Sequence, residues 1–524
     1  MHTPPPRVHH RATTLRTACV LALSAGLCAA CGDASRPPPG GASGLDGGFA
    51  GSPVSPRPDA SAPDATADAS AASDVYVDPV NGLDTNLGAE ASPFKTIQKA
   101  SAVVSAGSTV WLADGVYDAV NQGGAAAVAL PEGAIVSATH VGLAVIEGLP
   151  IVAGGASNAV VGLVFDNGTT LTASNTVEAA PTLTVTNVEF RSRASASSTL
   201  SVDGNMKVTL AQSSFTGPLP SLGLVTVDGA ADLTIIGTTF DGLGGGVDGF
   251  GYHLIGAAGT SKLTLDGVTM KNVGTAAIGV SGNSSAAPVA VVLKNGTVLD
   301  GMGAAGNCAS GGSVVIAKNA DLTVDASEIK NAKTAGICVR NGAASHVRVT
   351  LANGAKLTND VDGIRSEPGT ASEMTLVVSG ATFTSNSSAG VYFDGSGAFD
   401  VTAATMTGNG SGIVARASSP LSIKARNSTF TNNAAFGVAV TTTSALSLDM
   451  GTAASPGNNA LSGNATTGLQ LDVPAAQTQS AVGNTWNVNL QGADAAGHYA
   501  AGTDVVGPTT GENYELVNAS TLTL

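Results

Sequence analysis

Six polar residues in the middle of the chain have the types and spacing for chemistry on a carbohydrate. In successive segments an aliphatic residue follows a glycine, at Gly336–Ile337, Gly363–Ile364, Gly390–Val391 and Gly412–Ile413. If each aliphatic side chain points inward from a strand, the residues two and four past the glycine point outward. Position four then aligns Arg340, Glu367, Asp394 and Arg416 in one row, with Arg365 and Tyr392 beside it at position two. An arginine can pair with the carboxylate of a sugar acid, and Glu367 and Asp394 could act as acid and base. Alternating charges on adjacent strands are also what cross-strand ion pairing looks like, worth about 0.2–1 kcal/mol per pair. The six therefore stand as a candidate outer-face cluster, with no residue assigned to catalysis. Aromatics make up 4% of the chain and the only tryptophans are Trp111 and Trp486, so no row of sugar-stacking platforms is evident. His140, His253, His346 and His498 share no register, and a turn accounts for Asn359–Asp362 as well as an acid pair does.

Two other residue groups could do chemistry. Cys308 and Cys338 each lie nine residues past an apolar anchor, at Leu299 and Ile329. Equivalent positions in adjacent coils would bring their Cα atoms within roughly 5 Å, which favours a disulfide in an exported chain. Asp78, Asn81, Asp84 and Asn86 offer oxygen ligands suited to calcium, but without a bidentate Glu at loop spacing a turn is the expected role and no cofactor is assigned.

What must position these side chains is a repeat of about 25 to 30 residues, each an apolar anchor followed by a small polar turn. The anchors are Phe165, Phe190, Phe215, Phe240, Met270, Leu299, Ile329, Leu357, Phe383, Met406, Phe430, Leu461 and Trp486. Such a period means a solenoid whose coils bury their apolar faces only by stacking. The segments ahead of the anchors, such as Leu183–Thr186 and Leu322–Asp325, alternate with period two and are rich in β-branched residues, so the coils are strands. Glycine six or seven residues past the anchor suggests a turn of unusual backbone, also at Gly437 and Gly468. Asn386, Asn409, Asn433 and Asn464, three past the anchor, are placed to hydrogen-bond along the stack. The fold class is all-β, a parallel β-helix, with its anchored part about 60 Å long at roughly 4.8 Å per coil.

The start of the folded part carries a resemblance. Tyr76–Asp78, Asn81–Gly82, Ser92–Phe94, Thr96–Ile97, Val110 and Asp114–Tyr117 resemble the N-terminal signature of pectin-lyase-like right-handed β-helix proteins, in particular the uncharacterised DUF1565 family. The close match covers roughly 74–120 and implies a right-handed helix. Lyases and hydrolases on this fold place acid, base and arginine groups on an outer sheet face. Ser92 is expected to cap a short helix beginning at Pro93, with Phe94, Ile97, Ala100 and Val104 on one face sealing the open end.

Ahead of that, Arg7, Arg11 and Arg16 precede an apolar run from Ala18 to Ala30, too short to span a bilayer stably. Cys28–Gly32 resembles a bacterial lipoprotein signal, which implies cleavage and lipidation at Cys31, though Cys28 stands where leucine is usual. Residues 32–73 are rich in Pro, Ala, Ser, Gly and Asp, and read as a flexible tether. One β-helix domain over 74–524 follows, with 487–524 as a C-terminal cap. A net charge of −15 argues against nucleic acid and against charge-driven binding to anionic membranes. The expected protein is exported and held in the cell envelope, at the outer membrane, by its lipid alone, or is secreted if the lipid signal is not used. Its expected role is a non-catalytic scaffold or a module binding polysaccharide or another envelope component. A polysaccharide lyase or glycoside hydrolase, and an adhesin, are the alternatives.

Overall fold

The computed structural model describes residues 73–523, apart from 156, 176–179, 192–197, 218–222, 242–252, 275, 304–307, 309–311, 341–345, 368–372, 474–477, 487–497, 500–511 and 517–520. The lipidation at Cys31, the signal segment and all but the last residue of the tether lie outside the described residues, as does much of 487–524.

The described chain winds as a parallel β-helix with three strands per coil. One coil consists of Thr382–Thr384, Ala389–Asp394 and Ser396–Thr402, and the next begins at Thr405–Thr407. Equivalent strands pair in parallel along the rod to build three sheets, here called I, II and III in that order along the coil. The apolar anchors lie on sheet I. Phe190, Phe215, Phe240, Met270, Leu299, Ile329, Leu357, Phe383, Met406 and Phe430 are direct register partners in sequence. The column continues back through Phe165 and Ile146 to Tyr117, and bridges at Ala460 and Thr485 carry it on toward Trp486. The rings of Phe190, Phe215 and Phe240 stack face to face at 4.4 and 4.5 Å. This is the register that the repeat predicts.

Sheet I strands are short because a left-handed corner stands on each side of the anchor. Two residues past it come Asn331, Asn359, Ser385 and Asn432, and three residues before it Ala326, Ala403, Asn427 and Asn458, with φ between 46° and 57°. Asn and Gly recur at these corners because they enter the left-handed region at least cost. The next position is the asparagine ladder. Asn386 Nδ2 donates to Asn409 Oδ1 at 2.9 Å, Asn409 to Asn433 at 3.3 Å, and Asn433 to Asn464 at 2.9 Å. Each backbone N–H also donates to the next Oδ1, and each Nδ2 donates to a carbonyl of the preceding coil, such as Leu357 O and Phe383 O. All four amides are buried and fully used.

The glycines of the Gly-aliphatic pairs have another cause than a special turn. Gly336, Gly363, Gly390, Gly412 and Gly437 are absent from the left-handed residues. They point into the rod, where a Cβ on Gly363 would come within 2.5 Å of Gly390 O and 2.9 Å of Phe383 Cδ1. The coils approach too closely at this column for any side chain.

The N-terminal cap also departs from expectation. The helix spans Ile97–Ser101 and its cap is Thr96, whose side chain accepts from Lys99 N–H. Ser92 and Phe94 are extended instead, because the Phe94 N–H donates to Tyr76 O and Phe94 O accepts from Asp78 N–H. Pairing with the first strand outcompetes an earlier helix start. Asp84 then accepts from the N–H groups of Lys95 and Thr96, while Phe94, Ile97 and Ala100 seal the core as anticipated. At the far end Glu512–Leu516 extends sheet II, and His498–Tyr499 runs antiparallel to Thr521–Thr523.

Two substitutions separate the kinds of glycine. Gly363→Ala forces coils apart and is expected to cost about 1–3 kcal/mol in denaturant unfolding. Gly380→Asn, at a corner with φ 71° and open space around it, is expected to be nearly neutral. Equal losses at both sites would contradict the packing account.

Candidate functional site

Sheet II carries the candidate cluster on its outer face, because the residue after each inward aliphatic alternates outward. Register joins Cys338 to Arg365 and Arg365 to Tyr392 in one row, and Asp394 to Arg416 in the other. The Arg365 guanidinium lies 5.0 Å from the Tyr392 ring centre and that of Arg416 lies 5.7 Å from it. Tyr392 is thus flanked by two cations, an arrangement worth about 0.5–1 kcal/mol at exposed sites. Arg365 also donates to Asp362 Oδ2 at 2.8 Å, and Asp362 is wholly buried. Glu367 Oε1 accepts from the backbone N–H of Cys308 at 3.1 Å. Arg340 stands further back along the same face.

There two successive positions of the outer row, Gly256 and Gly279, have no side chain. The positions in register are Thr226, Gly256, Gly279 and Val315, and the space where a Gly256 Cβ would point is empty for 4 Å. The pairing slips by one residue after Val280, so Ser281 faces Lys318. Bulges of this kind re-aim side chains and often lie beside binding sites. The result is a depression of about 270 Å³ with a glycine floor, bounded by Thr226, Asp228, Ser281 and Arg340. This depression was not anticipated. The available signal was the pair of glycines at Gly256 and Gly279, in a row otherwise filled by side chains.

Cys308 and Cys338 form the disulfide, with Cα atoms 5.5 Å apart. Their positions are not equivalent, however. The strand partner of Cys338 is Val315, and Cys308 belongs to an insertion between Val298–Asp300 and Gly312–Lys318. Counting from Leu299 included inserted residues and shifted the register. Cys308 instead lies outside the sheet, burying Val315, Ala335 and Cys338 in a small apolar cluster of their own. The bond therefore holds Cys308 on the outer face, beside Arg365 and Glu367.

Among the described residues the carboxyls held above the usual carboxylate range are Asp360 and Asp362. Burial pushes Asp362 upward, opposed by hydrogen bonds from Ser388 and Arg365. Asp360 is pushed up to about 8, first by burial. Asp360 stands three past Leu357, so it occupies the asparagine column one coil before Asn386. Its N–H donates to Asn386 Oδ1 and its Oδ1 accepts from Ala332 N–H, but Oδ2 has no partner. A protonated carboxyl there imitates the amide of asparagine. Asp78, in the loop considered for calcium, accepts from the N–H groups of Val80 and Asn81 and serves a turn. Among the described residues no three His, Cys, Asp or Glu side chains gather as metal ligands would.

Residues 171–354 and 314–453 match the family described as right handed beta helix region, together more than half of the chain. The chain belongs to the right-handed β-helix family. Residues 80–142 of this β-helix match a second family, described as protein of unknown function (DUF1565). No curated protein matches the sequence. Among solved structures the β-helix is similar to the periplasmic alginate epimerase AlgG, at 11% identity over 79% of this chain and 85% of that one, with a TM-score of 0.32. It is also similar to the A-module of the Azotobacter vinelandii mannuronan C-5 epimerase AlgE4, at 14% identity over 72% and 86%, with a TM-score of 0.23. A rhamnogalacturonan lyase aligns at 14% identity over 69% and 76%, with a TM-score of 0.16.

Two outcomes follow from the buried acids and the clasp. Between about pH 4 and pH 8 the unfolded chain ionises Asp360 while the folded chain keeps it protonated. Stability contributed at this site is therefore complete below pH 4, falls as the pH rises, and levels off near pH 8. Asp360→Asn should be more stable than the parent, with a margin in urea unfolding that widens over that window; a constant margin would contradict the assignment. Replacing Cys308 and Cys338 together by alanine should cost about 2–4 kcal/mol by the same measurement.

Proposed function

We propose that this β-helix is an exported, lipid-anchored envelope protein that binds polysaccharide along the outer face of sheet II without cleaving it. The supporting observation is the composition of that face. A glycine-floored depression of one-ring size leads past Arg340 to Tyr392 and its two arginines. A flat backbone floor accepts the face of a sugar ring, and arginines at its margin hydrogen-bond hydroxyls or acidic groups. Of the candidate acid and base, Glu367 is engaged by the protein itself, accepting from the Cys308 N–H, and the candidate Arg365 is held by the buried Asp362. Export rests on the signal segment and agrees with the disulfide, and retention rests on Cys31.

The test is retention of the mature chain on immobilised acidic and neutral polysaccharides, with and without calcium, assayed in parallel for new unsaturated and reducing ends. The expected result is retention on one glycan without new ends. Arg340→Ala and Tyr392→Ala should each weaken retention about tenfold, the loss of roughly one charged hydrogen bond or stacking contact. Cleavage abolished by Glu367→Gln or Arg365→Ala would establish the lyase or hydrolase reading instead. No retention on any glycan would favour the adhesin.

A further inference from the structure

Exposed large apolar side chains gather at one end of the rod. Twelve stand out among the described residues, and ten of them lie between Val80 and Val152. Leu87 is 88% exposed, Val120 87%, Val80 76%, Val141 64%, Leu83 58% and Leu143 53%. Several follow a single corner of successive coils. Pro79 lies 2.9 Å from where Gly115 would carry a Cβ, the Gly115 N–H donates to Leu143 O, and Val141 lies 3.1 Å from the corresponding point on Gly162. Val80, Val116, Leu143 and Val141 therefore form a ridge. Leu83 and Leu87 belong to the loop that closes the rod end, where Gly88 O accepts from the Tyr76 N–H, and Val120 is in the turn whose Gln122 accepts from Ile97 N–H and donates to Lys95 O of the cap. A loop tip bearing two exposed leucines beside a valine ridge gains nothing from water, and such patches mark contact surfaces.

We propose that this capped end docks on a lipid bilayer surface, inserting Val80, Leu83, Leu87 and Val120 into the interfacial region. The inference rests on the lipid-anchored reading, which supplies the occupant. Residues 32–73 link Cys31 to the cap, and a coil of that length spans roughly 35 Å at about 5–6 Å times the square root of the residue number. The anchored part of the rod is about 60 Å long at roughly 4.8 Å per coil. The capped end is thus the part that acyl chains at Cys31 hold near a membrane. With a net charge of −15, attachment must come from apolar insertion and not from attraction to anionic headgroups.

The test uses the full mature chain with Leu87→Trp as reporter and Trp111→Phe and Trp486→Phe to remove the native tryptophans. It is mixed with vesicles of phosphatidylethanolamine and phosphatidylglycerol bearing brominated acyl chains. The expected result is severalfold quenching with a blue shift, unchanged by high salt. Adding Val80→Asp, Leu83→Asp and Val120→Asp should abolish the quenching while circular dichroism shows the fold intact. Mass spectrometry of Cys31 keeps the two readings apart. Quenching with Cys31 unmodified supports docking and removes the anchor. An acylated protein that floats with vesicles but shows no quenching overturns docking and leaves the anchor standing. Self-association that the aspartates abolish, without quenching, would assign the surface to a second copy and overturn the proposal.

Discussion

The close stacking of one coil on the next is the constraint on which everything else in this protein depends. A single coil has no layer to cover its apolar side and no partner for its backbone N–H and C=O groups; both are supplied only by the coils before and after it. Three interior columns run with this stacking. The anchor column fills the space between sheets, from Tyr117 to Phe430 in unbroken register. The glycine column lets backbones meet where no Cβ fits, and the asparagine column satisfies polar groups that the corners leave buried. Each column tolerates few residue types, which is why the sequence repeats at all.

Exceptions to the columns are correspondingly informative. Asp360 takes the place of an asparagine and remains compatible with its neighbours only by keeping its proton. Cys308 lies in a stretch that lengthens one coil, and it packs on Val315 and Ala335, where the disulfide to Cys338 fastens it. On the outside the stacking constrains little beyond strand propensity. Gly256 and Gly279 open a depression there, and Arg365, Tyr392 and Arg416 form a cationic row a few coils along.

The interior was legible in the sequence because its chemistry is repetitive. Spacing alone placed the anchors, the outward rows of Arg365 with Tyr392 and of Asp394 with Arg416, and the hydrogen-bonded asparagines. What spacing could not convey was cause. Gly363 looked like a turn residue, yet it is required by the approach of Gly390 O. Cys308 looked equivalent to Cys338, since nothing in a residue count distinguishes an insertion from a coil. Ser92 looked like a helix cap, but the first strand competes for Phe94 and the helix waits for Thr96. The depression on sheet II arises from missing side chains and a register slip, and neither has a motif.

We propose that function resides on the surface that the fold leaves free, with the outer face of sheet II as the binding face. The most direct measurement is a crystal structure of the chain with an oligosaccharide from the polysaccharide that retains it. The account predicts a sugar ring lying on Gly256 and Gly279, within hydrogen-bond reach of Arg340, with its linkages intact. An oligosaccharide seated instead on the outer groove of sheet III, lined by Gly397, Pro420 and Leu446, would contradict it.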